Sequence, residues 1–93
     1  MYTIAAKLTF YIPQATSLKD KRCVRRSIID KVHKRFNVSI AEVDTQDVHQ
    51  TLTIGIATVS GDPSHARKYL DETIKYIEEQ ADGELMEVGL AEA

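Results

Sequence analysis

From Thr3 to Ile12 the chain alternates, with Ile4, Ala6, Leu8, Phe10 and Ile12 on one side and Thr3, Ala5, Lys7, Thr9 and Tyr11 on the other. A period of two belongs to a strand with one buried face. Pro13 ends its pairing, and Ser17 opens a helix in which Asp20 completes a variant of the capping box. That helix is predicted from about Leu18 to Phe36, with Asn37 as a left-handed terminator. Leu18, Ile28, Ile29, Val32 and Phe36 share one sector of it, with Val24 at the margin. Lys21 and Arg25 fall in the same sector, in the first two turns, and are expected to project past the sheet edge.

Val38 to Asp44 reads as a second strand, Thr45 to His49 as a hairpin loop, and Gln50 to Ser60 as a third strand with Leu52, Ile54 and Ile56 inward. Gly61, Asp62 and Pro63 supply a turn, an N-cap and a first-turn proline for a second helix striped with Ala66, Leu70, Thr73, Ile74 and Ile77. Gly83 is expected to break that helix. Glu84 to Ala91 then forms a last strand, with Met86, Val88 and Leu90 inward. The order strand, helix, strand occurs twice, which is the split βαβ duplication of the ferredoxin-like α+β sandwich. The predicted fold is a four-stranded antiparallel sheet with two helices on one face. Its expected core includes Leu8, Phe10, Ile28, Val32, Leu52, Ile54, Leu70, Ile74 and Val88.

Ninety-three residues, 43% of them apolar, make one domain spanning 1–93 with a real core. No apolar run approaches the roughly 20 residues that span a bilayer, and Met1 leads directly into a strand, so neither membrane nor export signal is expected. Cys23 is the only cysteine, which suits a reducing, cytoplasmic setting.

Net charge is −2, but it is unevenly placed. Residues 1–40 carry nine Lys and Arg against two carboxylates, and residues 41–93 carry three against twelve. Such asymmetry points to a binding face. The basic residues gather at the start of the first helix, where Ser17, Lys19, Lys21, Arg22, Arg25 and Arg26 surround the positive end of a helix dipole, an arrangement suited to phosphate or RNA. The competing reading is a solvated basic face.

The sheet face away from the helices presents Thr3, Ala5, Thr9, Tyr11, Thr51, Thr53, Gly55 and Ala57. Tyr11 is its only aromatic, which disfavours base stacking there. Small, uncharged residues suit a second copy instead, so Thr3, Ala5, Thr9, Tyr11, Thr51, Thr53 and Ala57 form the expected homodimer surface. Glu42, Asp44, Asp47 and His49 are metal-ligand types in one stretch, without a second His or Cys, and neither metal nor cofactor is expected. Cys23 has no identifiable base, and His33 and His65 lie on separate helices.

Ile12-Pro13, Ser17-Leu18-Lys19-Asp20-Lys21-Arg22, Phe36-Asn37-Val38-Ser39 and Ala41-Glu42-Val43-Asp44-Thr45-Gln46-Asp47 together resemble the YlxP-like family of small bacterial proteins of unassigned function. The resemblance covers nearly the whole chain. It implies a ferredoxin-like fold, a bacterial cytosolic setting and, since members are often encoded near translation-initiation and ribosome-maturation factors, a translation-linked role. It implies no catalytic residues. The expected function is a non-enzymatic binding module for RNA or the ribosome, the alternative a homodimeric scaffold or small-ligand domain. A phosphate-directed hydrolase ranks third, because Pro13-Gln14-Ala15-Thr16 lacks the glycine that usually assists a phosphate-wrapping loop.

Overall fold

A computed structural model of the chain describes residues 1–81 and 83–92, the last two through their backbone alone. The elements run β1 (Tyr2–Tyr11), α1 (Leu18–Arg35), β2 (Ser39–Glu42), β3 (Thr51–Ser60), α2 (Pro63–Gln80) and β4 (Glu84–Glu92). The strands form one antiparallel sheet ordered β2-β3-β1-β4, the ferredoxin-like arrangement that the alternation predicted.

The core follows the even positions of β1 and β3. Leu8, Phe10, Leu52 and Ile54 are almost wholly shielded and meet Ile28 and Val32 of α1 and Leu70 and Ile77 of α2. Both helix starts are capped as their sequences imply. Ser17 Oγ accepts the Asp20 amide at 3.1 Å, and Asp62 Oδ1 accepts the Ser64 amide at 2.9 Å, with Pro63 in the first turn.

Four expectations need correction. The first helix ends one turn-step earlier than Asn37: Phe36 is its cap, in extended backbone, and its amide bonds back to Val32 O at 2.8 Å. Among the described residues Asp44, at φ 64°, is the one non-glycine with positive φ. Gly83 does not break α2, whose cap is Ala81. Its lack of a side chain matters because a Cβ there would sit 2.7 Å from the Tyr11 carbonyl oxygen.

Thr53 does sit on the open face, but it is only 3% exposed, because the β2–β3 connection folds over it and Thr45 Oγ1 accepts its amide. Val88 and Leu90 pair opposite buried Leu8 and Ala6, so they share the helix-side face. They are nonetheless 41% and 43% exposed, and Met86 is 63% exposed. The reason is lateral. Helix α2 packs on β1 and β3 and α1 on α2 and β2, so that on edge strand β4 Leu85 packs against the core while Val88 and Leu90 are left partly uncovered. A bulge at the step from Leu85 to Glu87, opposite Thr9 and Phe10, adds Met86 to the strand.

Candidate nucleic-acid interface

The basic residues of α1 divide into two groups with different fates. Lys21 does not project past the sheet edge. It is fully buried, and its ammonium lies 2.7 Å from Glu42 Oε2 and donates to the carbonyls of Thr45 and of Val48, the latter at 2.6 Å. An ammonium has three donors, and these three acceptors satisfy them. The carbonyls of Gln46 and Thr51 complete the surround at 3.4 Å. Arg25, half-buried, reaches the other oxygen of the same carboxylate, its Nη1 3.1 Å from Glu42 Oε1. Glu42 therefore unites two cations, and the β2–β3 connection wraps around one of them. These two residues hold the fold together and are not presented to a ligand.

The start of α1 is likewise occupied. Ser17 Oγ is used as the cap, and the Asp20 carboxylate turns back to accept from Thr16 N at 2.9 Å and Thr16 Oγ1 at 2.7 Å. Those bonds, the Thr16 hydroxyl's foremost, hold the Asp20 carboxyl below its ordinary range. An ionised carboxylate at the helix start occupies the place where an anion would otherwise bind.

Lys19, Arg22 and Arg26 remain. All three are exposed, and among the described residues none has a carboxylate within ion-pair distance. Their spacing of three and four residues stacks them on one helix face, with rises of about 4.5 and 6 Å between successive side chains. Lys34 and His33 lie farther along the same exposed side, with Asp30 as its single acidic residue. Cys23 is exposed beside this stripe.

The open sheet face is different in character. A groove of about 610 Å³ runs over Ala5, Lys7, Ala41, Val43, Gly55 and Ala57. Thr3, Ala5, Thr9, Thr51 and Ala57 are half-buried and Tyr11 is exposed, while Thr53 lies beneath the β2–β3 connection. Lys7 is held 2.6 Å from Asp44 Oδ2, and that hydrogen bond and the carboxylate's charge raise the lysine's pKa.

Glu42, Asp44, Asp47 and His49 are not brought together. Glu42 is turned inward to Lys21 and Arg25, Asp44 is turned to Lys7, and no three His, Cys, Asp or Glu converge among the described residues. The buried Lys21–Glu42 pair was the feature hardest to read in sequence, yet it left a signal. Lys21 lies on the apolar sector of α1, and Glu42 lies in phase with Ile40 on the strand that α1 covers.

No helix among the described residues is long and apolar enough to cross a membrane. The Bacillus subtilis (strain 168) "Uncharacterized protein YlxP" is 40% identical over 67 residues, covering 72% of this chain and 73% of that protein. Residues 3–89 match the family described as "Protein of unknown function (DUF503)", and the chain belongs to that family.

Proposed function

We propose that this domain is a non-enzymatic, cytoplasmic binding module that holds RNA by its phosphate backbone along the outer face of α1. The observation that carries the proposal is the row Lys19, Arg22 and Arg26, exposed and without carboxylate partners in a chain whose net charge is −2. Surface cations on a helix are commonly balanced by neighbouring carboxylates at three or four residues' distance, as Arg67 is by Asp71 on α2. On α1 Lys19 and Arg22 have no carboxylate three or four residues farther along and Arg26 has Asp30 without an ion pair to it, and a ligand bearing several negative charges at short intervals supplies the balance.

A phosphate-directed hydrolase is less well supported. Such chemistry needs free backbone amides between β1 and α1, and here Ala15 N donates to Ile12 O at 3.1 Å and Thr16 N to Asp20. Homodimerisation across the open sheet face is a second reading, favoured by the groove over Ala5, Gly55 and Ala57.

The test is equilibrium binding of a labelled single-stranded RNA to the wild type, to Arg22→Glu/Arg26→Glu and to Lys68→Glu/Lys75→Glu. Loss of binding in the first variant alone supports the proposal. Equal binding by both variants, or none by the wild type, contradicts it.

A further inference from the structure

The sheet has two edges, and they are treated differently. Strand β2 is four residues long, and the chain leaves it through Asp44 in a left-handed turn. Strand β4 is nine residues long, contains neither lysine nor proline, and among the described residues has no strand on its outer side. Short strands, lysines, prolines and bulges are the usual protections of an edge. Here the bulge at Met86 blunts only the first third. From Glu87 onward the strand pairs regularly with β1 and offers its outer backbone groups to a further strand.

The side chains along that segment are unusual for a bare edge. Val88 and Leu90 are exposed on the helix side, and Glu87 and Gly89 lie on the opposite face. Surrounding charge is predominantly negative. After Lys75 the sequence contains six carboxylates and no Lys or Arg. Lys7, the cation on the neighbouring strand, is paired with Asp44 and only its weaker, longer-range attraction reaches Glu87.

We infer that β4 is a docking edge for an extended segment of another protein in which apolar and basic residues alternate. The added strand hydrogen-bonds to the outer backbone of residues 87–90, places its apolar side chains beside Val88 and Leu90, and sets its cations beside Glu87 on the other face. A second copy fits less well, because its own β4 carries no Lys or Arg to set beside Glu87. Nucleic acid is repelled by the same carboxylates. This inference is independent of the α1 proposal, which concerns the other side of the charge distribution.

The test uses the full chain, isotopically labelled, titrated with an end-blocked eight-residue peptide alternating valine and lysine. The expected result is slowed exchange and shifted resonances for those amides of residues 87–90 that point away from β1, the alternate ones being already bonded to it. Binding should weaken as salt rises, and it should fall at least tenfold in Glu87→Lys and in Leu90→Lys, both at exposed positions, with circular dichroism unchanged. A peptide alternating valine and glutamate should not bind. Unperturbed β4 amides, or affinity indifferent to both substitutions, overturns the inference. So does a peptide-free protein that sediments as a dimer with the outward-pointing β4 amides already protected, because a second copy then occupies the edge.

Discussion

Lys21 Nζ stands 2.7 Å from Glu42 Oε2, with the two side chains only 1% and 3% exposed. One residue comes from the first turn of α1 and the other from the end of β2, so the pair ties the helix start to the sheet edge. The three carbonyl and carboxylate acceptors around the ammonium also fix the course of the β2–β3 connection. Removing one member of a buried pair strands the other in a low-dielectric site. Lys21→Met should therefore cost about 3–5 kcal/mol, a large part of the stability of a small domain. Urea denaturation measures it, and a loss below about 1 kcal/mol would mean that the pair is dispensable.

The glycines give an internal comparison. Gly83→Ala forces a methyl to within 2.7 Å of the Tyr11 carbonyl oxygen and 3.3 Å of Ile12 Cγ1, so the end of β1 must shift. A cost of about 1–3 kcal/mol is expected, as for overpacking elsewhere. At Gly61 an added Cβ meets nothing within 4 Å. Gly61→Ala should be neutral or stabilising by up to about 1 kcal/mol. Thermal or denaturant midpoints of the two variants separate these outcomes, and equal losses would contradict them.

Acid should weaken the cap of α1. Asp20 titrates below its ordinary value of 3.8 because Thr16 bonds its ionised form. A depressed folded-state pKa adds stability that is fully present above the unfolded value and disappears as pH falls through the folded one. The stability difference between wild type and Asp20→Asn should be constant above about pH 5 and shrink below pH 4. A difference that persists unchanged to pH 2 would mean that the carboxylate's charge is irrelevant. Lys7 is the converse case: its raised pKa makes the Asp44 pair a contribution present below pH 10.5 and lost as pH rises through the raised value.

Core and edge should respond differently to truncation. Ile54→Ala and Leu70→Ala, both at fully buried positions, should each cost about 2–5 kcal/mol. Val88→Ala, on the partly uncovered face of β4, should stay within about 0.5 kcal/mol. Denaturant midpoints of the three variants decide this, and a large loss at Val88 would place it back in the core.

That contrast marks where the sequence stops being legible. Alternation in β1, β3 and β4 specifies which face each residue takes, and it does so correctly even for Val88, which pairs opposite Leu8. It does not specify how far the helix layer extends sideways, which depends on how α1 and α2 pack against each other, and so the exposure of β4 was not readable. The same holds at the candidate interface. Charge counts locate the basic residues on α1, but Lys21, Arg25, Lys19, Arg22 and Arg26 look alike as charges. Helix phase sets the first two apart on the apolar sector, and the position of Glu42 decides that they are consumed internally while the last three are left at the surface.

Whether those three cations grip phosphates is most directly measured by the salt dependence of RNA affinity. If Lys19, Arg22 and Arg26 each neutralise one phosphate of a single strand, log K should fall with log salt at a slope of about −2.1, a weakening of about 20-fold between 50 and 200 mM. Arg22→Glu/Arg26→Glu should remove most of that slope, and Lys68→Glu/Lys75→Glu should leave it intact. A wild-type slope near zero, or the same slope in both variants, would contradict the assignment of α1 as the RNA-binding face.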